Sequence, residues 1–221
     1  MTFKEAAKLA GKDPDQRIMR REPRKAAFPP AAWSEKAGRF VERARKNLSS
    51  AIPFLSARGI KQEKARRACL GWNPVDVYEQ RPSWGLSEEH RTDGRPRQIW
   101  LPAGLVIPLI RDGRVVRLRI RRPEGDPRYV VVPGSFMGPM FWSTEIRLAV
   151  IVESELDGLL LHQEAGDMMN VVALGSAQGR PDEATAELLN KMDFLLIALD
   201  FDEAGGKEAW RWWRKTYPEK V

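Results

Sequence analysis

Acidic residues follow two apolar runs in the last third of the sequence. Glu153 comes directly after LAVIV (residues 148–152), Asp200 directly follows FLLIAL (residues 194–199), and Asp202 lies two residues beyond Asp200. Carboxylates that crowd together repel one another unless a cation lies between them. Hard oxygen ligands of this kind suit Mg²⁺, which keeps several waters and bridges to substrate phosphates. The pattern therefore predicts that Glu153, Asp200 and Asp202 hold one divalent ion, Mg²⁺ or Mn²⁺.

The elements that must position these residues are the strands of a parallel sheet. The apolar runs at 148–152, 170–174 and 194–199 alternate with helical stretches at about 156–164 and 181–191, and a further helix closes the sequence. Continuously apolar strands separated by helices indicate a parallel sheet covered on both faces. Ligands of such sheets bind beyond the carboxyl ends of the strands, where Gly175 and Ser176 also lie. Glu155 and Asp157 are close by, but a carboxylate in a first helical turn also serves as a partner of the helix dipole.

The front of the chain has helical spacing that gives way to strands. Apolar residues recur at helical spacing between Trp33 and Leu48, and two shorter helices are predicted at 50–58 and 61–70. Gly59 and Gly71 fall just past those two helices, where a left-handed C-terminal cap favours glycine. The sequence thus predicts an α+β unit ahead of the parallel sheet.

A β-hairpin is predicted from residue 105 to residue 121, with Asp112 and Gly113 at its turn. Because side chains alternate along a strand, Val116, Leu118 and Ile120 should share one face. The other face should carry Arg117, Arg119 and Arg121. Like charges in a row are costly without an anion nearby, so we expect these arginines to contact phosphate rather than form only a solvated face.

Charge and composition narrow the function classes. The net charge is +7, but residues 1–150 hold 30 Lys or Arg against 16 Asp or Glu, whereas residues 151–221 hold 7 against 14. A basic front and an acidic back suit a polyanion-binding surface beside a cation site. No apolar run approaches the roughly 18 residues of a membrane span. The N-terminus lacks a secretory signal, so we expect a cytoplasmic protein, and the single Cys69 excludes an internal disulfide.

Three blocks of sequence together resemble bacterial, DnaG-type DNA primases. VIVESELD, VVALGSA and ALDFDEAG are similar to the topoisomerase-primase (TOPRIM) signature of a Glu after one strand and Asp-x-Asp after a later one. AIPFLSARGIKQEKARRACLGWNP and VIPLIRDGRVVRLRIRRPEGDPRYVVVPGS resemble the helical and strand-rich parts of the primase RNA-polymerase domain. The short sequences PGS and ESELD resemble those of primases from prophages and mobile elements more than those of the housekeeping enzyme.

The resemblance implies a function and a role for each matching residue. It implies synthesis of short RNA primers from ribonucleoside triphosphates on single-stranded DNA, with a replicative helicase as partner and no membrane. Glu153, Asp200 and Asp202 would hold the catalytic Mg²⁺ or Mn²⁺, with Asp157 assisting. Gly175 and Ser176 would line the nucleotide pocket. The residues expected to contact DNA are Arg117, Arg119, Arg121 and Arg128.

The resemblance also implies how the chain divides. Residues 1–30 would form a linker that includes the last helix of a zinc-binding domain. The rest of that domain, which alone would bind zinc, would lie outside this sequence. Residues 31–144 would form an α+β subdomain, and residues 145–221 a TOPRIM α/β subdomain that lacks its C-terminal part. Two alternatives stay open: a TOPRIM-type metal-dependent nuclease that uses the same acids, and a non-catalytic nucleic-acid-binding module.

Overall fold

Helices and strands follow one another largely as the apolar spacing predicts. A computed structural model describes residues 27–176, 179–200 and 205–221. Its helices are α1 (Ala31–Lys46), α2 (Ile52–Ser56), α3 (Gln62–Arg67), α4 (Glu155–Ala165), α5 (Glu183–Asn190) and α6 (Gly205–Thr216). Its strands are β1 (Gly71–Asn73), β2 (Val77–Gln80), β3 (Gln98–Leu101), β4 (Gly104–Arg111), β5 (Arg114–Arg121), β6 (Tyr129–Val131), β7 (Met140–Trp142), β8 (Leu148–Val152), β9 (Asn170–Ala173) and β10 (Phe194–Ala198). Within the described ranges, no helix has the length and apolarity needed to cross a membrane.

Helix α1 covers one face of an antiparallel front sheet. The sheet has the strand order β1-β4-β5-β6, and α1 contacts β1 and β5. The buried residues of α1 recur every three or four positions, which places them on the face that meets the sheet; they include Trp33, Ala37, Phe40, Val41 and Ala44. The Trp33 indole N–H donates to the Pro133 carbonyl oxygen at 2.8 Å, so its polar atom is satisfied inside the core. The predicted long helix and the α+β character of the front are confirmed.

Strands β4 and β5 form the predicted hairpin. Asp112 and Gly113 have φ angles of +49° and +71°. Positive φ angles at both central residues give a two-residue turn that matches the right-handed twist of the flanking strands. A β-bulge interrupts the pairing: Leu109 faces Arg117 and the next residue of β4 faces Val115, so Val116 is an extra residue. Bulges re-aim side chains, and Val116 joins the core between the two sheets while Leu118 packs beneath α1. The prediction that Val116 shares a face with the apolar residues after it is therefore wrong.

The two predicted glycine caps differ in outcome. Gly59 has a φ of +76° just past α2, as predicted. After α3, however, the left-handed residue is Cys69, with a φ of +54°, and Gly71 opens strand β1. A Cβ on Gly71 would lie 2.5 Å from the backbone carbonyl carbon of Ala44. Glycine is needed at this position because helix and strand backbones come together here, not because it caps a helix.

The second sheet is parallel at its centre. Its strand order is β10-β8-β9-β7, and β8 pairs in parallel with both β10 and β9. Helix α4 packs on one face, and residues of α5 and α6, among them Leu189 and Trp213, pack on the other. This confirms the predicted α/β unit covered on both faces. The antiparallel edge strand β7 was not predicted, because three residues are too few to show a period.

The two sheets share one hydrophobic core. Leu105 and Ile107 of β4 lie in the same buried cluster as Val150 and Val152 of β8, and Phe136 joins them from the connection between the sheets. Strand β7 precedes the predicted boundary at residue 144, yet it pairs with β9 of the second sheet. The domain boundaries stay a prediction. The shared core means that side chains of the front sheet reach the second sheet directly.

Candidate functional site

The three parallel strands end level with one another. Their last residues are register partners across the sheet: Val152, Ala173 and Ala198. Glu153 directly follows β8, and Asp200 lies two residues past β10, the strand beside it. The structure thus brings Glu153 and Asp200 to the same edge of the sheet. Asp202 lies outside the described residues.

Asp157 is held at the start of α4 by reciprocal hydrogen bonds. The Ser154 hydroxyl accepts from the backbone N–H of Asp157 at 3.2 Å and donates to the Asp157 Oδ2 at 2.6 Å. This arrangement caps the helix and leaves a negative charge at the positive end of its dipole. The backbone N–H of Gly175 donates to the Glu153 carbonyl oxygen at 2.8 Å, which ties the loop after β9 to the loop after β8. Together, Glu153, Asp157 and Asp200 are called the acidic edge below.

The acidic edge fits a hydrated divalent cation. Between residues 27 and 221, excluding the two undescribed gaps, no three His, Cys, Asp or Glu side chains gather into a complete metal site. Mg²⁺ needs no such cage, because it is commonly bound by one or two carboxylates plus waters and substrate phosphates. All the side chains of the acidic edge are carboxylates, the hard oxygen donors that this ion prefers. Metal binding by these residues stays a prediction.

A buried carboxylate behind the acidic edge holds two arginines of the front sheet. Glu155 is the first residue of α4, and its side chain is only 1% exposed. Arg117 Nη2 donates to Glu155 Oε1 at 3.1 Å, and Arg119 Nη1 donates to Oε1 at 2.9 Å and to Oε2 at 2.8 Å. Arg117 Nη1 also donates to the Gly138 carbonyl oxygen. We call Arg117, Glu155 and Arg119 the Arg–Glu–Arg triad.

The triad corrects one expectation about DNA binding. The Arg117 side chain is 5% exposed, so it lies in the interior rather than on a face that a nucleic acid could touch. Burial lowers the pKa of the Arg117 guanidinium, and the charge of Glu155 opposes that shift. The arginines of β5 do need a nearby anion, as their spacing indicates, but for Arg117 the anion is a carboxylate of the same chain. Contact of Arg119, Arg121 and Arg128 with DNA stays a prediction.

Gly175 lies against the triad. Its φ is +86°, and a Cβ there would lie 3.1 Å from Arg119 Nη1 and 3.6 Å from Glu155 Oε1. The left-handed backbone and the close guanidinium both favour glycine. Gly175 of the predicted nucleotide-binding pair therefore lies beside Arg119, and Ser176 follows it at the same strand ends as the acidic edge.

Arginines and aromatic rings alternate from α2 to the triad. Phe54 lies between two guanidinium groups, with Arg58 at 3.7 Å and Arg121 at 4.3 Å from the ring centroid. Tyr129 also lies near two, with Arg119 at 4.5 Å and Arg121 at 5.8 Å. These cation–π contacts fix where the guanidinium groups lie. We call Arg58, Phe54, Arg121, Tyr129 and Arg119 the arginine–aromatic row. Arg128, one residue before Tyr129, is exposed.

Sequence reasoning missed three residues of this site. The sequence suggests a helix-dipole partner at Glu155, whereas this residue is a buried ion-pair centre. The available sequence signal for this ion pair was the row of alternating arginines on β5, which needs an opposite charge nearby. Phe54 and Tyr129 gave no signal, because the row exists only when α2, β5 and β6 meet.

Comparison with solved structures shows the fold of DnaG-type primase catalytic domains. The zinc-binding and RNA polymerase domains of the Aquifex aeolicus primase match with a TM-score of 0.55 and 24% identity, over 95% of this chain and 55% of that chain. The RNA polymerase domain of Mycobacterium tuberculosis primase DnaG matches with 0.59 and 21%, over 83% and 70%. A DnaG primase catalytic domain bound to ssDNA matches with 0.59 and 20%, over 85% and 69%.

These likenesses establish the fold, including its TOPRIM-like α/β part. The chain spans about half the length of the Aquifex aeolicus protein. No family model matches the sequence, and no curated protein sequence matches it either. The resemblance read from the sequence motifs is confirmed at the level of the fold.

Proposed function

We propose that this chain, with the fold of a DnaG-type primase catalytic domain, synthesises short RNA primers on single-stranded DNA. One observation carries the proposal. Arg119 belongs to the arginine–aromatic row and also contacts Glu155, two residues after Glu153. A strand that follows the row would therefore arrive beside the acidic edge.

The arginine–aromatic row suits a single-stranded nucleic acid. Such strands are bound by cations that follow the backbone together with flat groups on which bases stack. In the row, the rings of Phe54 and Tyr129 orient the guanidinium groups of Arg58 and Arg121. An oriented guanidinium donates to phosphate in a fixed fork geometry and offers a planar face to a base. Exposed Arg128 would extend the same surface.

The acidic edge would hold the catalytic ion. Glu153 and Asp200 would bind Mg²⁺ or Mn²⁺ with Asp202, and Asp157 would assist directly or through water. The bound ion would neutralise phosphate charge and align the reacting groups, which is most of what phosphoryl transfer requires. The chain's own contribution is positioning: the level ends of β8 and β10 set the carboxylates, and the Ser154 cap sets Asp157. Gly175 and Ser176 would line the nucleotide pocket.

The proposal extends to partners. Ribonucleoside triphosphates would be the substrates, and a replicative helicase would be the partner that brings the protein to single-stranded DNA. The basic front half, with 30 Lys or Arg against 16 Asp or Glu, would favour association with the polyanion. A primase of bacterial type acts on the chromosome, which would place this protein in the cytoplasm.

A synthesis assay tests the proposal. The chain is incubated with a single-stranded oligonucleotide, ribonucleoside triphosphates of which one is labelled, and Mn²⁺, and the products are separated by size. We expect short labelled RNA from the wild type and none from Asp200→Asn or Glu153→Gln. The matched control is Asp193→Asn, because Asp193 lies at the opposite end of β10 and pairs at 2.9 Å with Arg147.

The products also separate the alternatives. A shortened template that disappears with Asp200→Asn would identify a metal-dependent nuclease. DNA binding without either product, unaffected by Asp200→Asn, would identify a non-catalytic module. Electron paramagnetic resonance of Mn²⁺ gives a second readout: the two edge substitutions should release bound Mn²⁺, and Asp193→Asn should not.

A further inference from the structure

The Arg–Glu–Arg triad is arranged unequally around its carboxylate. Arg117 is the deeper arginine: its side chain is 5% exposed, and it donates both to Glu155 and to the Gly138 carbonyl oxygen. Arg119 is the outer one, with a side chain 14% exposed. Arg119 contacts both Glu155 oxygens through one nitrogen, Nη1. An arginine normally binds an oxyanion with two nitrogens in parallel, so the fork of Arg119 is only partly used.

Buried donors in the triad lack partners. The Nε atoms of Arg117 and Arg119 are both buried and have no hydrogen-bond partner among the described residues. A buried N–H without an acceptor is costly, and each such group in a native structure calls for an explanation such as an ion or ligand. Both donors belong to cations, so the missing acceptor should be anionic or strongly polar. The triad therefore has unused capacity for an oxyanion.

Gly175 places backbone without a side chain next to Arg119. A Cβ at this position would lie 3.1 Å from Arg119 Nη1, so any other residue would crowd the guanidinium that would receive the anion. The position is also at the carboxyl end of β9, one residue past Leu174 and level with the loop that carries Glu153. Ligands of parallel sheets bind beyond these strand ends. The glycine, the partly used guanidinium and the strand ends thus coincide.

We propose that Arg119 is a phosphate-binding residue that takes the terminal phosphates of the incoming nucleotide beside Gly175. This inference rests on the proposed function and names a contact for its substrate. In the ligand-free arrangement Glu155 holds Arg119 in place. When phosphate binds, Arg119 turns its fork to the phosphate oxygens, and Glu155 keeps Arg117 as its partner. The carboxylate is shared by two arginines, so releasing one does not leave it buried and unpaired.

The nucleotide is favoured over the DNA backbone as the source of the phosphate. Arg119 is largely enclosed and lies at the strand ends, whereas Arg58 and Arg121 lie further out along the arginine–aromatic row, and Arg58 is exposed. A long polymer needs an open surface, and a compact phosphate tail suits a recess. The two sources share one chemistry, so the experiment contains an arm for each.

The test compares binding of inorganic pyrophosphate and of an oligothymidylate by calorimetry, in metal-free buffer. Arg119→Gln should weaken pyrophosphate binding about tenfold or more, the loss expected for a charge-assisted hydrogen bond of at least about 1.4 kcal/mol. It should weaken oligothymidylate binding much less, because Arg58 and Arg121 would make most of the DNA contacts of the row. The matched control is Arg114→Gln, an exposed arginine at the start of the same strand, which should leave pyrophosphate binding unchanged.

A second variant distinguishes loss of the phosphate contact from misfolding. Arg119→Lys keeps the charge but removes the fork, so it should weaken pyrophosphate binding by an intermediate amount. Equal pyrophosphate binding by the wild type and Arg119→Gln would overturn the inference, as would no binding by the wild type. Loss confined to the oligothymidylate would assign Arg119 to the DNA backbone and would also overturn it. Pyrophosphate binding requires no polymerisation, so a protein that makes no RNA but loses pyrophosphate with Arg119→Gln refutes only the proposed function.

Discussion

Arg117 on β5 and Glu155 at the start of α4 are 38 residues apart in the sequence and form a buried ion pair of 3.1 Å. The pair joins the front sheet to the helix that follows Glu153. Because the two sheets also share a hydrophobic core, the position of the acidic edge does not depend on the second sheet alone. Its position depends on the front sheet through the triad.

Substitutions in the triad should have unequal effects on stability. Glu155→Gln leaves two buried arginines without a carboxylate, and we expect it to lower the free energy of unfolding by about 3–5 kcal/mol. Arg119→Gln leaves a one-to-one pair, so it should cost only about 1 kcal/mol. Urea unfolding monitored by circular dichroism measures both values. Equal losses from the two substitutions would show that the contact between Arg117 and Glu155 adds nothing to the stability provided by the contact between Arg119 and Glu155.

Gly175→Ala should be more damaging than the same change at another left-handed glycine. Gly94 has a φ of +78° and nothing within 4 Å of the position that a Cβ would take, so Gly94→Ala measures the backbone strain alone, about 1 kcal/mol. Gly175→Ala adds the contact with Arg119 and should cost about 1 kcal/mol more. Thermal and urea unfolding of both variants give the comparison. Indistinguishable losses would mean that Arg119 moves aside without cost.

The arginine–aromatic row should account for part of the salt dependence of DNA binding. Each phosphate contact on single-stranded DNA contributes about 0.7 to the slope of log K against log salt, so Arg58→Gln with Arg121→Gln should flatten it by about 1.4. Affinity should fall with little dependence on base sequence. Fluorescent oligonucleotide titrations over a range of salt measure the slope.

The control for that experiment is Arg67→Gln with Arg114→Gln, two exposed arginines outside the row. It removes the same charge and should leave the slope nearly unchanged. Should the row variant retain the wild-type slope, the template must lie on another surface. The basic outer face of α1, around residues 39–46, would then be the next surface to test.

His162 should make stability depend on pH. Its ring stacks on Trp142, with centroids 5.7 Å apart, and its Nδ1 accepts a hydrogen bond from Lys64 Nζ. Burial, and then the positive charge of Lys64, lowers the pKa of His162 below its ordinary value. The unfolded chain therefore binds this proton more readily, and the contribution of neutral His162 is lost as the pH falls through the ordinary histidine range.

The measurement is urea unfolding of the wild type and His162→Gln between pH 8 and pH 5. Both proteins contain the other titrating groups, so the difference between them isolates His162. We expect the wild type to lose stability relative to the variant as the pH falls. A constant difference over this range would mean that His162 has the same pKa in the folded and unfolded chain.

Local patterns determined most of the fold and the framework of the site. The apolar runs ending at Val152 and Ala198 are continuous because both faces of their sheet are covered, and this pattern alone indicated a parallel sheet. The ends of those runs placed Glu153 and Asp200 at one edge. The turn at Asp112 and Gly113 was equally local, because its left-handed backbone favours those residue types.

Contacts between distant segments were decided only by the tertiary structure. The bulge at Val116 shifts the register by one residue, and period-2 alternation cannot show where a strand gains a residue. The burial of Arg117 against Glu155 arises because the start of α4 lies beside β5. Sequence showed that the arginines of β5 needed an anion, because like charges in a row repel. Only packing decided that a carboxylate of the chain itself would supply one, since the energy of a buried charge depends on neighbours that are far away in the sequence.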